Sequence, residues 1–467
     1  MRVLMPVQPS NSHFWPIVPT AWALQAAGHE VRMATHARYA ADIIAAGLGV
    51  VPLGDPAESE PRTRQDARPP ARPEEVLRYA EVLGLDSVGT QHWIAYYQWM
   101  LNSISDYPRI DLPYAGELVE FAQAWRPDLV IWDPFFAPGP VAARACGAAH
   151  ARISICPDYC AWSFDRLRER AADLRAAGLP ENPQADMIRP LAEKYGVEYD
   201  DELLYGQWTI EPLPPGLELQ VSGVRLPVRN VPYTGAVAYP TWMYQPQRRP
   251  RVAMTLGDST RRYIKGDWDR TPKILEAVAG LDIDVVATLN ANQLDGVDRV
   301  PDNVKVHDWL SLTQLLPTCS AVIHHGGPST FAVSWASDIP QIVCDSGESL
   351  LMQAVGAEPN TLESGVYRIG FEFGVRENLT EKVTHWQMPA KKLEATPTSE
   401  YVIANGAGTR LNHFTQSAGE IADMVTGVLT DPSYAEGAHA LFQTWLARPS
   451  PGDIVPLLER LTWEHRR

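Results

Sequence analysis

The chain has 467 residues, 45% hydrophobic and 21% charged, with 56 acidic against 40 basic side chains and a formal net charge of −16. That length and composition fit a globular protein of two or three domains, and the charge argues against nucleic acid as a partner. No apolar run approaches the ~18 residues of a membrane span. Met1-Arg-Val-Leu-Met-Pro6 reads as a strand rather than a secretion signal, so a cytoplasmic protein without a membrane partner is expected.

Residues 2 to 53 read as strand, helix, strand, helix, strand. Val3 to Val7 is nearly continuous in apolar character, as expected of a parallel strand covered on both faces. Pro16 suits a first helical turn, Gly28 a helix stop, and Val31 to Thr35 and Val50 to Leu53 the next two strands. This is the opening of a doubly wound α/β domain. Pro56 to Pro73 reads as a loop, and residues 74 to 125 as mostly helical, with Trp93, Tyr96, Tyr97, Met100 and Leu101 at helical spacing. A core-facing stripe is the simplest reading of those aromatics.

Leu129 to Trp132 and Arg152 to Ile155 read as buried strands, and residues 160 to 205 as charged helix. Residues 211 to 250 are rich in proline and suit an interdomain linker, which places a domain boundary near 240. The strand pattern then restarts at Val252 to Leu256, Ile283 to Leu289, Val304 to His307, Ala321 to Ile323 and Gln341 to Cys344, with a helix near 271 to 279. Phe371-Glu-Phe-Gly-Val375 alternates like a strand and predicts a hairpin or small subdomain. A last helix is expected near 453 to 465.

The segment Ala321-Val-Ile-His-His-Gly-Gly-Pro-Ser-Thr330 joins a short apolar strand to a helix through two glycines. Such a helix start offers N–H groups without internal partners and partial positive charge, which suits an anion. His324 and the hydroxyl of Thr330 would complete a cradle for a diphosphate. His13, after the first strand, and Asp133, after Leu129 to Trp132, both sit at carboxyl ends of strands, the ligand edge of an open α/β sheet. A histidine there suits a general base, and a carboxylate could orient it. Asp128 competes for that role, and Asp133-Pro is also a common turn opener.

Five cysteines, 146, 156, 160, 319 and 344, lie in or beside apolar runs and read as free thiols. Cys156 and Cys160 lack a second ligand pair at zinc spacing. The triplets Asp267-Trp-Asp269 and Asp282-Ile-Asp284 read as solvated ends, and no metal is expected.

His-His-Gly-Gly-x-x-Thr in the second half resembles the donor site of GT-B glycosyltransferases of family 1. More narrowly, it resembles actinobacterial enzymes that attach deoxysugars to macrolides and other polyketides, the desosaminyltransferase-like group. Asn11-Ser-His13, Gln25-Ala-Ala-Gly-His-Glu-Val31, Arg126-Pro-Asp-Leu-Val-Ile-Trp-Asp-Pro134, Gly206-Gln-Trp-Thr209, Val231-Pro-Tyr233, Thr255-Leu-Gly257 and Leu315-Leu-Pro-Thr-Cys-Ser320 follow in the same order.

The resemblance implies two Rossmann-like domains facing a cleft. Residues 1 to 240 would bind the acceptor, 241 to 450 the nucleotide sugar, and 451 to 467 would form a helix returning to the first domain. It implies an inverting, metal-independent transfer of a deoxysugar, or an aminodeoxysugar, from a dTDP-sugar to a hydroxyl of a hydrophobic polyketide, with His13 as base and Asp133 as its partner. The dTDP-sugar is a co-substrate, and no cofactor is expected. Gly257, Ser259, Trp309, Leu310, His324, Gly326, Gly327, Ser329, Thr330, Glu348 and Ser349 would hold the donor, and Trp93, Tyr97 and Phe135 the acceptor. Trp309 would stack on the base, although a core tryptophan is nearly as good a reading.

The chain departs from the family at Pro328-Ser329, at Ser311 where proline is usual, and in an insertion at about 350 to 400. Asp345, which ends Gln341-Ile-Val-Cys-Asp345, is also available to a sugar hydroxyl, and if the insertion begins earlier, Glu400 replaces Glu348 as the sugar ligand. The resemblance also implies a cytochrome-P450-like auxiliary protein, and a homodimer is left open. Two other functions stay in view: a sugar-nucleotide epimerase, and a non-catalytic homologue that binds sugar nucleotide or stabilises a partner.

Overall fold

The computed structural model describes residues 1–57, 78–79, 81–84, 113–257, 270–345, 350–355, 368–370, 383–388 and 394–466. The chain divides into two compact units, Met1–Gly235 with Arg448–Arg467, and Ala236–Ala447.

The first unit holds a seven-stranded parallel sheet in the order β3-β2-β1-β4-β5-β6-β7. Its strands are β1 Arg2–Pro6, β2 Glu30–His36, β3 Gly49–Leu53, β4 Leu129–Trp132, β5 Ala149–Ile153, β6 Trp208–Glu211 and β7 Arg225–Pro227. β4 and β5 are buried at every residue; β4 is an unbroken apolar run, whereas β5 buries His150 and Arg152 along with its apolar residues. The strand expected at Arg152 to Ile155 starts earlier, at Ala149, and stops at Ile153. The helix Val18–Ala26 ends where Gly28 takes φ +87° and the His29 N–H reaches back to the Leu24 carbonyl.

Two strands of this sheet are not among those expected from the sequence. β6 carries Thr209 and Glu211 within its buried run, and β7 lies in the proline-rich stretch expected to be linker. The C-terminal segment joins this unit through specific contacts. The Arg448 guanidinium donates to the Val228 and Glu211 carbonyls, at 2.9 and 2.6 Å, and Arg466 pairs with Asp128 at 2.6 Å. The helix Val455–His465 packs on β5.

The second unit holds a six-stranded parallel sheet in the order β10-β9-β8-β11-β12-β16. Here β8 is Arg251–Thr255, β9 Asp284–Thr288, β10 Val304–His307, β11 Ala321–His324, β12 Gln341–Cys344 and β16 Gly408–Leu411. One face packs against the helices Arg270–Val278 and Ala418–Thr430 through Ile274, Leu275, Ile421 and Val425. Between β12 and β16 in the chain come β13 Leu350–Val355, β14 Arg368–Gly370 and β15 Val383–Met388, which form a separate antiparallel sheet in the order β14-β13-β15. A small subdomain therefore forms inside the insertion, while Phe371 to Val375, the run expected to form its strand, lies outside the described residues.

The described cysteines are free thiols, and burial pushes the Cys319 thiol up to about 12. Among the described residues no helix is long and apolar enough to cross a membrane.

Candidate active site

In a doubly wound sheet the chain leaves in opposite directions from two neighbouring strands, and their carboxyl ends open a crevice for ligands. The strand orders place that point between β1 and β4 in the first unit and between β8 and β11 in the second. His13, Asp133, Gly257 and the segment from His325 to Thr330 lie in or just after these four strands' loops.

At β1 and β4 the structure brings His13 and Asp133 together, with Nδ1 2.7 Å from Oδ2. His13 sits in the short helix Asn11–Phe14, whose turn is closed by its own N–H on the Ser10 carbonyl. Asp133 is fully buried, and both its oxygens are occupied. Oδ2 also accepts the Gln8 N–H at 3.2 Å, and Oδ1 accepts the Phe135 N–H at 2.9 Å. A carboxylate accepts only, so the His13 Nδ1 carries the proton and Nε2 keeps its lone pair.

The His13 side chain is 21% exposed. The buried Phe135 ring stands edge-on to the imidazole at 5.2 Å. Gln8, which sequence reasoning missed, ties the two loops together by donating from Nε2 to the Phe135 carbonyl at 2.6 Å. Asp128 is at the opposite edge of β4, engaged by the Arg2 N–H and Arg466.

In the second unit, Gly257 follows β8 with φ +92°. Ser259 lies outside the described residues, as do Glu348, Ser349, Trp93, Tyr97 and the triplet Asp267 to Asp269. The other triplet is a surface pair of acids facing Arg249, with Asp284 at 2.8 Å and Asp282 at 3.7 Å. Trp309 is half-buried after β10, and Leu310 packs against Leu315, Leu316 and their neighbours.

The loop after β11 differs from expectation at His324. The ring is fully buried. Its Nδ1 accepts the Gly326 N–H at 3.2 Å, and its Nε2 lies 3.1 Å from the Gln341 Oε1. Burial pushes its pKa down to about 4, so it is a neutral ring with both nitrogens engaged. A direct hydrogen bond from His324 to a diphosphate, as expected from the sequence, does not fit this geometry. The next residue, His325, is half-buried and stands outside the strand.

Gly326 is required by close approach to backbone, whereas at Gly327 only the His325 side chain stands in the way. A Cβ on Gly327 would fall 2.4 Å from the His325 Nε2. One on Gly326, where φ is +84°, would fall 2.5 Å from the Ala395 Cα. Gly327 caps the helix Pro328–Trp335, and the Phe331 N–H returns to the Gly327 carbonyl. Pro328 has no N–H, which leaves the Ser329 and Thr330 N–H groups as the first-turn donors that helix geometry leaves unpaired.

Asp345, one of the acids considered for the donor sugar, is 2% exposed and serves the structure instead. It accepts from the Thr396 and Ser399 hydroxyls at 3.0 and 2.8 Å and pairs with Arg410 at 3.1 Å. Glu400 is more than half exposed and lies 3.8 Å from Arg410. These contacts pin the helix Ala395–Ala404, and the Thr398 hydroxyl donates to the Gly326 carbonyl. Glu394, the residue before Ala395, is thereby brought to the loop, and no local signal in the sequence marks it. Among the described residues, no group of three or more His, Cys, Asp or Glu side chains is placed to hold a metal ion.

Two family models match the chain. The N-terminal domain of erythromycin biosynthesis protein CIII-like proteins covers residues 22–257, and the C-terminal domain of the same family covers 272–365. The aclacinomycin-T 2-deoxy-L-fucose transferase of Streptomyces galilaeus is 34% identical over 100% of this chain and 97% of its own. The 10-deoxymethynolide desosaminyltransferase of Streptomyces venezuelae is 34% identical over 100% of this chain and 98% of its own. Among solved structures, glycosyltransferase VinC in complex with dTDP superimposes with a TM-score of 0.73 at 28% identity, covering 99% of this chain and 100% of that one. Spinosyn forosaminyltransferase gives 0.72 at 27% identity, covering 99% of each chain.

Proposed function

We propose, for a chain that belongs to the erythromycin biosynthesis protein CIII-like family of GT-B glycosyltransferases, that it moves a deoxysugar from a dTDP-sugar to a hydroxyl of a polyketide-type aglycone with inversion. The relatives' names favour transfer over the epimerase and non-catalytic alternatives. The observation that carries the mechanism is the His13–Asp133 pair.

Asp133 holds the imidazole with its Nε2 lone pair available. Nε2 takes the acceptor proton as the acceptor oxygen forms its bond to the anomeric carbon. The bond from that carbon to the diphosphate breaks on the opposite face, and dTDP leaves with the electron pair. His13 becomes an imidazolium that the Asp133 carboxylate stabilises.

On the donor side, the Ser329 and Thr330 N–H groups, the Thr330 hydroxyl and His325 meet the diphosphate, while His324 shapes the loop. A helix N-terminus aimed at developing negative charge stabilises the leaving group without a metal or cofactor. Glu348 is the carboxylate we assign to the sugar hydroxyls, with Glu394, next to the Ala395 that lies against Gly326, as a second carboxylate near the loop. The chain's net negative charge makes such local donors necessary for an anionic substrate.

Calorimetry tests the donor reading. Thr330→Val, which removes only the hydroxyl, is expected to weaken dTDP binding roughly ten- to a hundredfold, the worth of one charge-assisted hydrogen bond. Thymidine, which lacks phosphates, should bind both proteins alike. Equal effects on dTDP and thymidine, or none on either, would move the diphosphate elsewhere.

A further inference from the structure

Gln341 is 1% exposed at the start of β12, and the chemistry above leaves it without a task. Its Oε1 faces the His324 Nε2 at 3.1 Å. The other ring nitrogen meets the Gly326 N–H, and a backbone N–H can only donate. Nδ1 must therefore offer a lone pair, and a neutral ring then carries its proton on Nε2, where an amide oxygen receives it. The Gly326 carbonyl is held in turn by the Thr398 hydroxyl at 2.9 Å. Both polar backbone groups of Gly326 are thus fixed by buried side chains of two different elements, immediately before the helix start at Gly327.

We propose that Gln341 is a positioning residue for the phosphate loop: it locks His324 in the Nε2–H tautomer, and that tautomer holds Gly326 and the helix start in the shape that receives the diphosphate. The inference rests on the donor reading given above. A neighbour that fixes one ring nitrogen sets what the other can do. Burial and the Gln341 contact account for the state of the ring, and no charged side chain among the described residues contributes to it.

Gln341→Glu places a carboxylate against Nε2 and favours the imidazolium. A protonated ring carries hydrogen on both nitrogens, so its Nδ1–H opposes the Gly326 N–H. Measured as the ratio of variant to wild-type dTDP Kd at each pH, binding should be weaker by about tenfold or more near pH 6. It should approach wild type near pH 8.5, as the ring loses its proton. The ratio removes the titration of dTDP itself. Gln341→Met keeps the volume but accepts no hydrogen bond, and should lose about tenfold in dTDP affinity without a pH trend while thymidine binding is unchanged. His324→Asn restores a carbonyl oxygen at the δ position and should retain more dTDP affinity than His324→Ala.

A flat pH ratio for folded Gln341→Glu, or wild-type dTDP affinity in folded Gln341→Met, overturns the proposal. Should Gln341→Glu fail to fold, the methionine variant decides alone. Equal losses of thymidine and dTDP would mark general damage and count against it. A wild-type protein that binds no dTDP would overturn the donor reading instead, so the two failures are distinguishable.

Discussion

Replacing His13 by alanine is expected to lower kcat by ~10²–10⁴, with dTDP affinity close to that of the wild type. The size of the effect is that of a general base. Its direction follows from geometry: the imidazole is 21% exposed, its Nδ1 is committed to Asp133, and its Nε2 is the atom left to take a proton. Donor affinity should be spared because the diphosphate is assigned to the loop after β11, which shares no side chain with His13. Single-turnover rates with saturating donor would separate the chemical step from product release. Near-normal turnover by a folded His13→Ala protein would remove the base from this residue.

Asp133→Asn is expected to be comparably damaging, by up to ~10⁴ in kcat, the loss found when the orienting acid of a serine-protease triad is changed to its amide. Asparagine keeps the shape but has one acceptor oxygen where Asp133 uses two. If that oxygen keeps the Phe135 N–H, the amide NH₂ faces His13. The ring then shifts its proton to Nε2 and presents a hydrogen where a lone pair is needed. The fall should therefore be in kcat rather than in KM for the donor, and the protein should keep its melting behaviour to within a few degrees. A folded Asp133→Asn enzyme with wild-type kcat would show that Asp133 supports structure alone.

The sequence revealed what depends on local pattern. β4, β11 and β12 were legible because each is built on a short apolar run, as expected of a strand covered on both faces. His13 and Asp133 were legible because each follows such a run at its carboxyl end. β6 and β7 were hidden by Thr209, Glu211 and the prolines around them, whose partners are supplied from elsewhere in the fold. Arg225 pairs with Glu211, and Arg448 reaches the Glu211 carbonyl from more than two hundred residues away.

The same limit governed the donor loop. Two adjacent histidines look alike in a sequence, and only the fold shows that His324 turns into the core towards Gln341 while His325 stands at the loop. Asp345 looked available for a sugar because Thr396, Ser399 and Arg410, which occupy it, lie more than fifty residues further along the chain. Glu394 was passed over for the same reason: its place at the loop comes from Ala395 lying against Gly326, a contact across about seventy residues.

The most direct measurement supplies the purified protein, alone and with a candidate auxiliary protein, with dTDP-deoxysugars and polyketide aglycones, and follows glycoside and dTDP together. The account predicts one dTDP released per glycoside formed, an inverted configuration at the anomeric carbon, and loss of both products in His13→Ala. Retention of configuration, or dTDP release that matches no glycoside and persists in His13→Ala, would contradict it.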